Sequence, residues 1–149
     1  MEKNNSHAFS ASGTTDVTVR LVNHATLVPE SLFQRGGLDS SDVLTNETVF
    51  DLRVQPKSLA ILGAGPIGCE LATVFSRFGS EVHLLDMADR VLPQEHPRAG
   101  EVVERALLDL GVNLHLGLEI KKISTSEDGK RVLTDAGEFV TEEVLIALG

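Results

Sequence analysis

The sequence predicts an α/β protein with a parallel sheet flanked by helices and a three-stranded antiparallel β-meander. Two nearly unbroken apolar runs, residues 58–62 and 144–148, are typical of parallel strands covered on both faces. A glycine-rich turn follows the first run and opens a helical pattern at Pro66. Further on, residues 127–129 (Glu-Asp-Gly) have the composition of a hairpin turn between two strand-like segments. Together these features predict the α/β class.

The N-terminal part of the chain predicts little regular structure. Residues 1–15 are rich in Asn, Ser, Gly and Thr, which predicts a disordered or tag-like segment. Residues 16–56 predict a lead-in segment that begins with an alternating strand at 16–22 and continues through a loop. Residues 57–149 then form the domain with the core. With 149 residues, the chain is long enough for one such domain.

The glycine-rich turn over residues 63–68 predicts a binding site for a pyrophosphate. Gly63 allows a sharp turn, Gly65 lets the backbone approach a phosphate, and Gly68 lets the helix pack closely on the strand. The free amides of the first helical turn, which begins at Pro66 and continues with Ile67, attract an anion with the help of the helix dipole. The alternative is that the glycines only punctuate a strand-to-helix turn, but their full sequence context favours a dinucleotide site.

The next predicted strand ends in Asp86, 18 residues after Gly68, where a carboxylate can bind the adenosine ribose. This arrangement completes a Rossmann-like pattern. The carboxylate would repel a 2′-phosphate, which favours NAD over NADP. Arg90 could neutralise such a phosphate, but it lies beyond the strand end with Asp89 beside it. The alternative for Asp86 is a solvated carboxylate that caps the strand end.

Two helices are predicted after the glycine-rich turn and after Pro97, and each carries one apolar stripe. The first stripe, in a helix that ends at Gly79, consists of Ile67, Leu71, Val74, Phe75 and Phe78. The inward residues of the second helix are predicted to be Val102, Val103, Ala106, Leu107 and Leu110. For Glu70, the choice between a solvent-facing residue and a ligand stays open. Short strands over residues 112–116, 120–124, 130–134 and 138–141 lead to the last apolar run.

Composition excludes several classes of function. The net charge of −9 and the pI near 4.9 argue against nucleic acid or an anionic membrane as a partner. Neither a membrane-spanning stretch nor a signal-peptide core is visible, so a cytoplasmic location is expected. Cys69 has no partner for an internal disulfide. It is expected to be a small buried residue, although a helix start could lower its thiol pKa.

The sequence shows no pattern of metal ligands and no catalytic nucleophile. The five histidines lack metal-ligand spacing, and His83 and His115 are expected to be structural residues within strands. No catalytic or metal-binding residue is therefore predicted.

The combined motifs resemble those of the FAD-dependent pyridine nucleotide-disulfide oxidoreductases, closest to the dihydrolipoamide dehydrogenase and mercuric reductase branch. The resemblance covers residues 37–149. The four segments that carry it are Leu44-Thr-Asn-Glu-Thr48, Leu62-Gly-Ala-Gly-Pro-Ile-Gly-Cys-Glu-Leu71, Asp86 with Asp89-Arg-Val-Leu-Pro93, and Val144-Leu-Ile-Ala-Leu-Gly149. By this resemblance, the chain is the NAD(H)-binding domain of an enzyme that passes hydride between nicotinamide and FAD.

The resemblance also implies roles for individual residues. Residues 63–68 would hold the pyrophosphate and Asp86 the adenosine ribose. Glu70 would lie near the nicotinamide, Ile120 would contact the adenine through its backbone, and Gly149 would begin a stretch near the nicotinamide end. Pro66 stands where some members have a tyrosine that covers the flavin.

Other family elements are absent from this sequence. The FAD-binding glycine motif, the redox cysteines and the interface domain that makes family members homodimeric have no counterpart here, and residues 24–36 depart from the family pattern. The partner domains are therefore expected to be missing, FAD is not expected to be held, and the chain alone is expected to be inactive. A non-catalytic dinucleotide-sensing module and an FAD-binding domain remain the alternatives.

Overall fold

The computed structural model describes residues 43–148 and three strands that precede them. These strands are β1 (His7–Phe9), β2 (Val17–Arg20) and β3 (Leu27–Val28), which pair antiparallel in the order β1-β2-β3. β2 confirms the strand predicted within residues 16–22. Strand β1 lies within residues 1–15 and pairs with β2 through His7–Phe9. The rest of residues 1–15 and the loop predicted before residue 43 lie outside the described residues.

A five-stranded parallel sheet forms the centre of the described domain. Its members are β4 (Leu44–Thr45), β5 (Ser58–Leu62), β6 (Glu81–Asp86), β7 (Asn113–Leu116) and β11 (Glu143–Ile146). The strand order is β4-β11-β5-β6-β7, so β5 lies between the last strand of the chain and the strand that follows it. β5 and β11 are almost wholly buried, as their unbroken apolar runs predict.

Helices and the meander cover opposite faces of this sheet. Helix α1 (Pro66–Arg77) and helix α2 (Pro97–Asp109) pack on one face, and a 3₁₀ helix (Thr48–Asp51) follows β4. Strands β8 (Ile120–Ser126), β9 (Gly129–Thr134) and β10 (Gly137–Thr141) form the antiparallel meander. The meander connects β7 to β11 without a crossover helix, which confirms the predicted fold.

Alternating residues of the central strands supply two cores. Leu59 and Ile61 of β5 face α1 and α2, whereas Ala60 and Leu62 face the meander. All four are fully buried. A fully buried leucine or isoleucine contributes about 1.5–3 kcal/mol relative to an exposed one. β5 is therefore held from both sides, and the loop at its end starts from a fixed point.

The predicted apolar stripes of both helices were too wide. On α1, Leu71 and Phe75 are buried as predicted, but Ile67, Val74 and Phe78 are exposed. The buried face of α1 is centred instead on small residues, Gly68, Cys69 and Ala72, because the helix lies close to β5. On α2, Val102 and Ala106 face outward and Leu107 is the buried anchor. None of the helices within the described residues is long and apolar enough to cross a membrane.

Candidate dinucleotide site

The glycine-rich loop lies at the carboxyl end of β5, where the connections of the sheet diverge. From β5 the chain passes to β6 on one side, and β11 returns on the other side. Gly63 N donates to Leu85 O of β6 at 2.8 Å, and Ala147 N donates to Leu62 O at 2.8 Å. Ligands of open α/β sheets bind in the crevice at such a switch point.

Gly63 and Gly68 are required by the protein itself. Gly63 has φ +114°, and a Cβ there would lie 2.5 Å from Ala147 O of the chain after β11. A Cβ on Gly68 would lie 1.8 Å from Gly63 O, which is far inside any permitted contact. The first glycine therefore makes the turn, and the third brings α1 against the loop, as the motif predicts.

Gly65 differs from both, because nothing in the described structure requires it. Its φ of −76° and ψ of −173° are open to any residue, and a Cβ there would meet no atom within 4 Å. The missing side chain leaves open space directly above the loop, of the kind that a group approaching the backbone from outside would need.

The start of α1 offers uncapped amides to this open space. Gly65 is the N-cap and has no side chain that could cap the helix, and Pro66 has no amide to satisfy. Cys69 N is hydrogen-bonded to Gly65 O at 3.0 Å, whereas the amides of Ile67 and Gly68 precede that first helical bond. Such amides, together with roughly half a unit of positive charge from the helix dipole, favour an anion.

The carboxylate of Asp86 faces the glycine-rich loop. Asp86 Oδ2 accepts a hydrogen bond from Ala64 N at 2.6 Å, and Oδ1 accepts one from Ala88 N at 2.8 Å. The side chain is half-buried. Because each carboxylate oxygen has a second lone pair, both can still accept a bond from a ligand. The structure thus brings Asp86 and the loop together, although they lie far apart in sequence.

A second contact to the loop comes from the segment after β6, and no sequence pattern predicts it. Leu92 N donates to Ala64 O at 2.8 Å, and Leu92 has the left-handed φ of +49°. That conformation costs a non-glycine residue about 1–2 kcal/mol. Arg90 Nη2 donates to Pro93 O at 2.6 Å and to Glu95 O at 3.1 Å. This guanidinium nitrogen is therefore engaged within its own segment.

Of the other predicted site residues, the structure describes Glu70 and Ile120. Glu70 is an exposed residue of α1. Ile120 is half-buried at the start of β8, beside an irregularity in the pairing with β9. The turn before it is joined to the Asp86 segment, because Leu118 N donates to Asp86 O at 3.3 Å. Gly149 lies outside the described residues.

Cys69 is buried, and its thiol is not activated. Burial raises the pKa of Cys69 to about 11, although a hydrogen bond from the Leu92 backbone acts in the opposite direction. Its Sγ donates to Ala64 O at 3.4 Å. Desolvation therefore outweighs the position near a helix start, and the interpretation as a small buried residue fits better than that of a reactive thiol.

The two strand histidines have partners, as expected of structural residues. His83 Nδ1 lies 3.0 Å from His115 Nε2, and the rings stack with centroids 5.2 Å apart. Phe139 of β10 packs against both rings, and Glu81 lies 3.2 Å from His83 Nε2. Within the part of the chain that the structure describes, His, Cys, Asp and Glu side chains form no group of three or more suited to a metal ion.

Comparison with known proteins identifies the family. The family model for pyridine nucleotide-disulphide oxidoreductases matches residues 17–149. The mercuric reductase of Lysinibacillus sphaericus is 36% identical over 129 residues, which are 84% of this chain and 24% of that enzyme. The dihydrolipoyl dehydrogenase of Halobacterium salinarum is 34% identical over 120 residues, 76% of this chain and 25% of that enzyme. The chain thus spans about a quarter of the length of these relatives.

Solved structures agree with this assignment. The HOCl-induced flavoprotein disulfide reductase RclA from Escherichia coli matches 97% of this chain and 35% of its own, with TM-score 0.69 and 25% identity. The water-forming NADH oxidase from Lactobacillus brevis, bound to NADH, matches 97% of this chain and 36% of its own, with TM-score 0.68. At 24% identity, the second match supports the fold alone. On the family model and the curated relatives, the chain belongs to the pyridine nucleotide-disulphide oxidoreductase family.

Proposed function

We propose that this chain binds NAD(H), with the pyrophosphate at residues 63–68 and the first turn of α1. The observation that carries the proposal is the contrast among the three glycines. Contacts within the chain account for Gly63 and Gly68, but not for Gly65, whose missing side chain leaves space above uncapped amides. A pyrophosphate needs both the space and the amides, so the residues present fit the group.

Asp86 would bind the adenosine ribose and select NAD over NADP. Its carboxylate faces the loop at 2.6 Å from Ala64 N and keeps lone pairs for two ribose hydroxyls. A 2′-phosphate at that position would meet a like charge. Arg90 Nη2 is engaged with the carbonyls of Pro93 and Glu95, so this nitrogen is not free to bind a phosphate.

The remaining site residues would take the places that the family resemblance implies. Ile120 would contact the adenine through its backbone, which fits its position at the start of β8, directly after the turn that is joined to the Asp86 segment. Glu70 and Gly149 would lie toward the nicotinamide end, and the exposure of Glu70 leaves it accessible there. In these roles, residues of this chain bind and orient the dinucleotide.

In a complete enzyme of the dihydrolipoamide dehydrogenase or mercuric reductase type, the bound nicotinamide would exchange hydride with FAD held elsewhere. This chain would contribute orientation. Asp86 and residues 63–68 would hold the adenosine ribose and the pyrophosphate, so that the nicotinamide would be presented to the flavin. The FAD and interface domains, and the homodimeric state, belong to this proposal for the complete enzyme.

A calorimetric titration of the chain with NADH, NADPH and FAD tests the proposal. We expect NADH to bind about tenfold more tightly than NADPH, because a like-charge contact near a protein surface costs about 1 kcal/mol or more. FAD is expected to bind more weakly than NADH. If NADH gives no heat at millimolar concentration, or FAD binds more tightly, the proposal is wrong.

Substitution of the carboxylate tests its role in selectivity. Asp86→Asn is expected to bring the two dissociation constants to within about threefold of each other, because it removes the charge that repels the phosphate. The control is Asp89→Asn, which removes an exposed charge three positions away and should leave the ratio unchanged. The ratio is the readout because a general loosening of the loop would weaken both ligands alike.

A further inference from the structure

The peptide groups of Ala64, in the middle of the glycine-rich loop, are held from both sides by one segment. Ala64 N donates to Asp86 Oδ2 at 2.6 Å, and Ala64 O accepts from Leu92 N at 2.8 Å. Asp86 and Leu92 both belong to the end of β6 and the segment that follows it. The orientation of the loop therefore depends on the shape of this segment, residues 86–95.

Leu92 holds its amide toward the loop in a conformation that leucine does not favour. A non-glycine residue with φ +49° persists only where its surroundings fix it. Val91 is fully buried beside it, and a Cβ on Gly100 of α2 would lie 2.7 Å from Val91 O. Close packing against α2 thus fixes the N-terminal side of Leu92.

Arg90 fixes the other side. Its Nη2 atom donates to Pro93 O at 2.6 Å and to Glu95 O at 3.1 Å, both of which follow Leu92 in sequence. The side chain bridges the two ends of the segment and closes it into a ring that contains Leu92. A planar guanidinium suits this task because its donors have a fixed geometry.

We propose that Arg90 is a positioning residue for the dinucleotide site. It acts through Leu92 on the carbonyl of Ala64, and thereby aims the amides of the glycine-rich loop at the pyrophosphate without touching the ligand. This inference rests on the proposed function for its consequence in binding, but the link between Arg90 and the loop exists in the unliganded chain. Pre-organised donors bind more tightly because less ordering accompanies binding.

A direct contact with a 2′-phosphate is the competing role for the same side chain. Arg90 Nη1 is buried and has no hydrogen-bond partner among residues 43–148. A phosphate contact would use this nitrogen and affect NADPH alone. Positioning of the loop affects every ligand that carries a pyrophosphate, so a comparison of ligands separates the two roles.

The experiment compares Arg90→Gln with Arg98→Gln, an exposed arginine at the start of α2. We expect Arg90→Gln to raise the dissociation constant of NADH about tenfold, and to leave adenosine, which lacks the pyrophosphate, within about twofold of the wild type. The amide of Leu92 should exchange with solvent about tenfold faster in the unliganded variant. Arg98→Gln should change none of these values.

Arg90→Lys provides a second variant that keeps the charge. Its single ammonium can still donate to Pro93 O, so NADH affinity should lie between those of the wild type and Arg90→Gln. If NADH and adenosine weaken alike, or NADPH weakens more than NADH, the positioning role is wrong. Unchanged exchange at Leu92 would also overturn it. Faster exchange at Leu92 in a chain whose wild type binds no NADH would support the link to the loop and refute the proposed function.

Discussion

The starts of the two helices resemble each other in backbone structure and differ in how they are capped. α1 begins at Pro66 and α2 at Pro97, each after an extended residue, and both pack on the same face of the sheet. At α2, His96 Nδ1 accepts a hydrogen bond from Arg98 N at 3.2 Å. At α1, the corresponding residue is Gly65, which has no side chain to accept one.

This difference separates what the fold requires from what a ligand requires. Free amides at a helix start must find a partner in a side chain, in water or in a ligand. The chain supplies a side chain at α2 and leaves the place open at α1, where the loop, Asp86 and the sheet ends converge. Substitutions at the two helix starts test whether this contrast reflects a ligand at α1.

The largest effect on stability is expected at Gly68 and Gly100, where the lack of a side chain lets the start of each helix pack closely against the backbone of another segment. A Cβ on Gly68 would lie 1.8 Å from Gly63 O, and a Cβ on Gly100 would lie 2.7 Å from Val91 O. Gly68→Ala should lower the free energy of unfolding by more than about 3 kcal/mol, and Gly100→Ala by about 1–3 kcal/mol. Urea denaturation measures both values. Equal stability of Gly68→Ala and the wild type would contradict the close approach of α1.

An intermediate effect is expected when alanine replaces each N-cap residue. Gly65→Ala should raise the dissociation constant of NADH at least tenfold, because a methyl group enters the space above the loop, and should change stability by less than about 1 kcal/mol. His96→Ala should lower stability by about 0.5–1 kcal/mol and leave NADH binding unchanged. Titration and urea denaturation of both variants give the four values. Equal NADH affinity of the two variants would remove the functional meaning of the open cap.

Much of the fold could be predicted because strong local patterns mark its elements. The unbroken apolar runs predicted β5 and β11, and the Glu-Asp-Gly turn predicted the hairpin between β8 and β9. The outward position of Ile67, Val74 and Phe78 could not be predicted from periodicity. A helix of this spacing has several apolar faces, and only contact with β5 decides which one is buried.

The site shows the same division between local and long-range information. The glycines and Asp86 could be predicted because parallel strands place their carboxyl ends at one edge. The bond between Leu92 and Ala64 could not, because it joins segments far apart in sequence and depends on a left-handed residue that is not glycine. The sequence indicates Arg90 only as a candidate phosphate ligand, since no local pattern marks an arginine that hydrogen-bonds to its own segment.

The smallest effect is expected from acid, which acts through His115 of β7. Burial lowers the pKa of His115 from 6.5, and His83 lowers it further. The unfolded chain then binds this proton at a higher pH than the folded chain, so stability should be constant above about pH 7 and fall as the pH drops below about 6.5.

NADH binding provides the contrast in the same experiment. Residues 63–68, Asp86 and Ile120 include no histidine, so the dissociation constant of NADH should stay within about twofold between pH 7.5 and pH 6, as long as the chain remains folded. Urea denaturation and calorimetry at both values measure the two quantities. If NADH binding weakened in parallel with stability, protonation of His115 would be coupled to the dinucleotide site, and the two regions would not be independent.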